Sequence, residues 1–506
     1  MRYLVLSFLL SLSLKAEDHS LRLRTNLKLE DIRAHQKALQ EVADQNNGNR
    51  MATSAGYRQS VAYVVARLRA AGYEVRLQDF TLRLASDQSP PELKILEPHE
   101  YNFVADVDFS SMSFSGVKEL NAPIEAIDLK IPLNSPNDST SGCESQDFEG
   151  FKPGNIALIQ RGGCSFSKKV AHAKAALASG VIIFNDGSDG HLELISTRLD
   201  SSSADFPVLG ASFAVGNIFR GKVLKGPTGI AANIKINIHN SAKLVQNIIA
   251  ETAQGDSSRV VAVGAHLDSV QSGAGINDNA SGSATILKVA ELYSTLKLTP
   301  RNKLRFIWFG AEEFGLVGSE FYVDSLTTQE KKNIMAMLNF DMLGSPNYVR
   351  FVYDGDNSGR SEASAVAGPQ GSQAIEKIFL DYFAALNLAT HPTAFNGRSD
   401  YGPFIAVGIP AGGLFSGAEG VKSSRMAETY GGIAGVAYDA CYHRSCDNFT
   451  GTEGLALKSL AELSLAAAHA VAYLGQTEQN IRPLYDIPVA TLPEPEWEYK
   501  GHLIIR

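Results

Sequence analysis

Three apolar runs in the sequence each lead directly into side chains that bind metals. Val261-Ala262-Val263-Gly264-Ala265 runs into His266-Leu267-Asp268, Phe306-Ile307-Trp308-Phe309-Gly310 into Ala311-Glu312-Glu313, and Met335-Ala336-Met337-Leu338-Asn339 into Phe340-Asp341. A further carboxylate, Asp278, sits in the turn-like stretch Gly275-Ile276-Asn277-Asp278-Asn279. Taken singly, each has an ordinary explanation: a polar loop histidine, a glutamate pair complementing a helix dipole, an aspartate at a turn or helix N-cap. Their joint placement points to chemistry. In an open α/β sheet, sites form just beyond the carboxyl ends of the strands, so three such ends would share one crevice. His266, Asp278, Glu312, Glu313 and Asp341 would bring four negative charges together, which repel unless cations neutralise them. Mixed imidazole and carboxylate donors suit zinc, with manganese and cobalt as substitutes. Two ions about 3.5–4 Å apart, bridged by one carboxylate, form a recurring arrangement for hydrolysis.

The surrounding pattern supplies elements that could hold such a crevice. From Lys243 onward, strands and helices alternate at regular intervals, as in an α/β domain. Val260 to Ala265, Leu304 to Phe309 and Ile334 to Phe340 read as buried strands. Ala284 to Leu296, Gly315 to Leu326 and Lys458 to Leu474 read as helices. Upstream, Leu29 to Asn47 and Gln59 to Ala71 carry helical periodicity, ending at Asn46-Asn47-Gly48 and Gly72, and Tyr73 to Leu77 alternates as a strand does. From about Asp87 to Asn240 the texture shifts to β-branched residues, Ser, Asn and Gly. Within that stretch, Asn155 to Gln160 and Gly180 to Asn185 read as strands and Lys168 to Ala178 as an Ala-rich helix, so a separate, mostly β domain is expected.

Length and composition set outer bounds. A chain of 506 residues is expected to form roughly two or three domains. A net charge of −8 argues against a nucleic-acid partner, which needs a basic patch. Met1-Arg2 followed by the apolar run Tyr3 to Leu14 and then Lys15-Ala16-Glu17 reads as a signal peptide with Ala16 as its last residue. The run is too short to span a bilayer of about 30 Å, and no membrane association is expected once the leader is removed. Export makes the cysteines meaningful: four allow three pairings, and two local bridges, Cys143 with Cys164 and Cys441 with Cys446, are the simplest.

The motifs His266-Leu267-Asp268-Ser269-Val270, Gly275-Ile276-Asn277-Asp278-Asn279-Ala280-Ser281-Gly282 and Phe309-Gly310-Ala311-Glu312-Glu313-Phe314-Gly315-Leu316 strongly resemble the secreted bacterial leucyl aminopeptidases and aminopeptidase Y. Asn339-Phe340-Asp341-Met342, Gly397-Arg398-Ser399-Asp400-Tyr401 and Ala440-Cys441-Tyr442-His443 match the same family of co-catalytic zinc exopeptidases, within the zinc-peptidase and transferrin-receptor clan. The resemblance spans roughly Lys243 to Leu474 plus Leu29 to about Thr81. It implies a three-layer α/β domain with a central mixed sheet, two zinc ions per chain, and peptide substrates with a free N-terminus, preferably with apolar first residues. It further implies that His266 and Asp341 hold one ion, Glu313 and His443 the other, and that Asp278 bridges them. In the same likeness Asp268 orients His266, Glu312 is the general base, Tyr442 an oxyanion donor, and Arg398 part of the pocket for the free α-amine, through its backbone.

Asn155 to Phe166 and the following Lys168 to Asp186 resemble the protease-associated domain, which is inserted into peptidases of this type. The expected organisation is therefore a signal peptide over 1–16, an N-terminal part of the peptidase domain over 17–86, the inserted domain over 87–240, the catalytic domain over 241–475 and a tail over 476–506. Export into a periplasm, an extracellular medium or a vacuolar or lysosomal lumen would suit the leader and the cysteines. Three sequons begin at Asn137, Asn279 and Asn448; Asn279 abuts the bridging carboxylate and is expected to be a chance match. A carboxypeptidase of the same clan and a one-zinc glutaminyl cyclase share much of the metal core. A non-catalytic receptor built on the inserted domain would lack ligands, whereas all five ligand positions are filled here.

Overall fold

The computed structural model describes residues 18–482 apart from 113–114, 134–137, 189–190, 196–198, 200–205 and 360–366. The expected signal peptide, the sequon residue Asn137 and the tail beyond residue 482 lie outside the described residues.

The larger core is built on a mixed eight-stranded sheet. From one edge its order is Val75–Asp87, Ile238–Glu251, Asn302–Phe309, Asp256–His266, Ile334–Phe340, Ala411–Phe415, Phe351–Tyr353 and His391–Thr393. The middle strands Asn302–Phe309, Asp256–His266, Ile334–Phe340 and Ala411–Phe415 run parallel to one another. Every residue of Ile334–Phe340 is buried, which is why these strands read as unbroken apolar runs rather than alternating ones. Their two faces nevertheless divide with period 2. Val261, Val263 and Ala265 face a core shared with helices Leu29–Asp44, Ala55–Ala70, Ala280–Thr295 and Leu455–Gln476. Val260 and Ala262 face Tyr322, Val323, Phe404 and Ile405 on the other side. Helices thus cover both faces, giving three layers. Helix Leu455–Gln476 is long and apolar enough to cross a membrane, but Leu460, Leu463, Val471 and Leu474 are buried in the core.

Register decides what meets at the strand ends. His266 is paired with Phe309, and Gly264 with Asn339. His266 and Asp341, each two residues further on, therefore arrive at one level, with Glu312 and Glu313 just past the neighbouring strand.

Two elements extend beyond the sequence expectation for identifiable reasons. The helix expected from Gln59 begins at Ala55, because the Ser54 side chain accepts from the Tyr57 amide and caps it. The strand expected over Tyr73 to Leu77 runs over Val75–Asp87, because it pairs antiparallel with Ile238–Glu251 along its whole length, from Val75 opposite Ala250 to Asp87 opposite Ile238. This two-stranded ribbon leads into a second eight-stranded sheet, ordered Tyr101–Asn102, Glu92–Glu97, Gly226–Ile236, Lys118–Ala126, Ile156–Gln160, Gly180–Phe184, Val208–Ala211 and Phe109–Ser111. Its central strands Ile156–Gln160 and Gly180–Phe184 are wholly buried, and helices Phe166–Ala175 and Phe213–Arg220 pack on it. Disulfides join Cys143 to Cys164 and Cys441 to Cys446.

Helix Ala280–Thr295 comes so close to the strand Ile334–Phe340 that only glycine fits at the contact. A Cβ on Gly282 would lie 2.0 Å from the Phe340 carbonyl oxygen. Gly282→Ala is expected to destabilise the protein by about 1–3 kcal/mol, as overpacking of a rigid contact does. Denaturant titration monitored by Trp fluorescence should show an earlier midpoint, and a loss below about 0.5 kcal/mol would contradict this account of the contact.

Candidate metal centre

The end of strand Asp256–His266 is braced from behind. Ser283 Oγ donates to the His266 carbonyl at 2.5 Å, and Trp308 Nε1 donates to the Ser283 carbonyl at 3.1 Å. The imidazole then points into the crevice, with Nε2 3.1 Å from Asp278 Oδ1 and 3.3 Å from Asp341 Oδ1. His443 approaches from the opposite side, with Nε2 3.2 Å from Asp278 Oδ2 and 3.1 Å from Glu313 Oε2. Asp278 therefore offers one oxygen to each histidine, and every histidine has a second carboxylate of its own. Glu312 Oε2 stands 4.0 Å from His266 Nε2, within reach of the same group as His266 and Asp341 but further off than Asp278 or Asp341.

The remaining expected residues surround this cluster. The Asp268 carbonyl is 3.2 Å from His266 Nδ1, and its carboxylate oxygen 3.7 Å away. That carboxylate accepts the backbone N–H groups of Glu312 at 3.2 Å and Glu313 at 3.3 Å, so Asp268 ties two strand ends together. The Tyr442 ring stacks on His443 with centroids 3.8 Å apart. Arg398 Nη1 donates to Glu419 Oε1 at 2.5 Å, and Nη2 reaches the Tyr442 hydroxyl at 3.5 Å. Both Tyr442 and Arg398 line the cleft that opens onto the cluster.

Several polar residues that pattern reading did not single out hold the ligands. Ser399 Oγ donates to Asp341 Oδ2 at 2.5 Å and accepts from Asn339 Nδ2 at 2.8 Å. Asp447 is buried, and its carboxylate accepts the backbone N–H of Asn277 at 2.7 Å and of Asp278 at 3.0 Å. Asn279 is buried, accepts from the Gly282 and Met342 amides and donates to the Phe340 carbonyl at 3.0 Å, so it is a structural clamp and not a glycan acceptor. The backbone is also tense here. Ala311, Met342 and His443, each at or beside a proposed site residue, hold left-handed φ of 58°, 59° and 59°.

The electrostatics match a site that calls for cations. Burial, reinforced by the charges of Glu313 and Asp341, pushes the Glu312 carboxyl well above its ordinary range. Burial and the Asp278 charge raise Glu313 to about 7. Burial opposes a charged ring at His443, yet the carboxylates of Asp278 and Glu313 still carry it up to about 11. Buried oxygens Glu313 Oε1 and Asp341 Oδ1 accept no hydrogen bond, which leaves them free for a metal. The donor set, two imidazoles and a group of carboxylates within a few ångströms, fits divalent transition ions.

A mixed sheet with carboxylates and histidines converging beyond its parallel strands defines a candidate metal centre of the α/β type. Residues 247–468 match Peptidase family M28, and residues 129–219 match the PA domain. The chain is 43% identical over 412 residues to an aminopeptidase of Pseudomonas aeruginosa, covering 81% of this chain and 74% of that protein. It is 38% identical over 430 residues to leucine aminopeptidase 2 of Arthroderma otae, covering 84% of this chain and 80% of the relative. The fold is similar to that of an aminopeptidase from Aneurinibacillus sp. strain AM-1, with a TM-score of 0.66, 24% identity, and coverage of 92% of this chain and 98% of that one. The chain belongs to peptidase family M28, among its aminopeptidase members, and carries a PA domain ahead of the catalytic core.

Asp447→Asn would replace one of two accepting oxygens with an NH2 group facing a backbone N–H. The expected result is a stability loss of about 1–3 kcal/mol, the usual effect of leaving a buried donor unsatisfied. Circular dichroism melting would register it, and an unchanged melting temperature would show that Asp447 does not hold this turn.

Proposed function

We propose that this protein is an exported aminopeptidase that binds two zinc ions and releases N-terminal residues, preferring apolar ones. The observation that carries the reading is the division of the cluster by Asp278 into two equal sets, His266 with Asp341 and His443 with Glu313. Bound in those sets, the ions would polarise the scissile carbonyl and acidify a water. Glu312 lies further from His266 than Asp278 and Asp341 do, and is the carboxylate left over from these pairings. Its carboxylate, buried and hemmed in by like charges, is suited to take the proton of the attacking water and hand it to the leaving amine. The Tyr442 phenol, fixed by stacking on His443, is placed to donate to the developing oxyanion. Arg398, its guanidinium held by Glu419, would meet the free α-amine through its backbone. Met342, Tyr353, Ala394, Phe415 and Ala418 line the same cleft and supply an apolar surface for the first side chain. The apolar leader and two disulfides support export into an oxidising compartment.

Purified mature protein should bind two zinc ions, shorten peptides from the N-terminus in a mass-spectrometric digest, and lose activity with a chelator until zinc is restored. Glu312→Gln should lower kcat by about 10²–10⁴, the usual contribution of a general base, while zinc content stays at two. Release of residues from the C-terminus, or a Glu312→Gln variant within tenfold of the parent, would overturn the reading.

A further inference from the structure

One fully buried charge near the metal centre has no part in the chemistry just described. Arg50 lies in the connection between helices Leu29–Asp44 and Ala55–Ala70, and its relative exposure is 0%. Among the described residues its guanidinium forms no ion pair with a carboxylate; it is spread over three backbone carbonyls of the loop that follows His266. Nε donates to Ala274 at 2.8 Å, Nη2 to Gly275 at 2.8 Å, and Nη1 to Leu267. The Arg50 backbone joins the same loop, its N–H donating to Ser269 Oγ at 2.9 Å and its carbonyl accepting from the Ser269 N–H at 3.4 Å.

The loop so gripped has a ligand at either end. Leu267 lies between His266 and Asp268, and Gly275 stands three residues before Asp278. One rigid fork thus ties the start of the loop to its finish, and with it the spacing between His266 and Asp278. The loop is wound tightly around the fork: Gly275 has φ +62°, and a Cβ there would lie 2.2 Å from the Asp278 carbonyl oxygen. A guanidinium suits this task because its donors point in fixed, divergent directions, whereas an ammonium is a single point on a flexible stem.

The charge that comes with the fork is held in place by the carboxylates around it. Removing an unpaired cation from water is costly, and buried charges are normally paired. The charges that act on Arg50 are those of Asp268, Asp447, Asp278 and Glu313, all around the metal centre. Burial lowers its pKa only to about 10, so the group stays positive at neutral pH.

We propose that Arg50 is a positioning residue of the metal centre: its fork fixes the span of the His266–Asp278 loop, so that zinc affinity depends on it. The inference rests on the two-zinc reading above. It also means that the matched stretch 247–468 does not assemble the centre by itself, because this contact comes from the segment that precedes the PA domain.

The test uses the full chain, stripped of metal and titrated with zinc in competition with a chromophoric chelator. Arg50→Met removes the charge and the fork. Arg50→Lys keeps the charge and most of the volume but reaches at most one or two carbonyls, and it decides the matter if the methionine variant does not fold. Zinc affinity is expected to fall about 10–100-fold in Arg50→Met, the range typical for groups that orient ligands, and by a smaller factor in Arg50→Lys. At saturating zinc, kcat should fall with KM unchanged, since Arg50 touches no substrate. Variants that melt earlier yet bind zinc within twofold of the parent would show a purely structural role and overturn the proposal. A parent protein that takes up no zinc would instead overturn the two-zinc reading, and the proposal with it.

Discussion

The carboxylates of Asp278, Glu312, Glu313 and Asp341 meet in one buried crevice, and their mutual repulsion is the constraint to which the rest of the structure answers. Two like charges 4 Å apart cost about 4 kcal/mol at an effective dielectric of 20, and here Glu312 with Asp341 and Asp278 with Glu313 lie within 4.8 Å of each other. The response is visible in the side chains themselves. Glu312 and Glu313 are pushed toward the neutral form by burial, while His266 and His443 are driven toward the charged form by the carboxylates between them. A protein with no cation to bind would gain by replacing these groups with apolar ones. Their retention makes sense where divalent ions supply the missing charge.

Holding such a cluster open for ions requires a frame that does not relax. The parallel strands supply it through register, which brings His266 and Asp341 to one level and Glu313 alongside. Backbone groups then link the loops: Asp268 accepts from Glu312 and Glu313, Asp447 from Asn277 and Asp278, and Asn279 spans Gly282, Phe340 and Met342. Each of these is a buried side chain satisfying main-chain donors or acceptors that would otherwise be orphaned. The left-handed backbone at Ala311 and Met342 lies beside these links, which help to hold it.

How far the centre could be read from the sequence follows from the same physics. His266, Glu312, Glu313 and Asp341 were legible because parallel strands buried on both faces leave continuous apolar runs whose ends are easy to find. His443 had no such signal. It sits in a disulfide-closed loop outside regular structure, and only the resemblance to known peptidases marked it. Ser399, Asp447 and Arg50 escaped for a further reason: a buried polar residue that bonds backbone atoms far away in sequence imposes no periodicity on its neighbours. The long ribbon Val75–Asp87 with Ile238–Glu251 likewise exceeds its local strand pattern, since strand length there is set by a partner on the far side of the inserted domain.

That ribbon explains how a peptidase core tolerates being interrupted between residues 88 and 237. Loop-closure entropy rises only with the logarithm of loop length, about 0.6 kcal/mol per doubling, so lengthening the excursion into a whole domain adds little to what a short connection already cost. The antiparallel pairing from Val75 opposite Ala250 to Asp87 opposite Ile238 anchors both ends, and the second sheet, with its own core of Ile124, Leu158, Ile182 and Leu209, stabilises itself. The segment before the insertion is then free to serve the segment after it. Helices Leu29–Asp44 and Ala55–Ala70 pack on Ala280–Thr295, and the turn between them delivers Arg50 beneath the loop from His266 to Asp278. The candidate metal centre is in this sense a product of both halves of the chain, and the ribbon is the joint that lets sequence-distant residues act as neighbours.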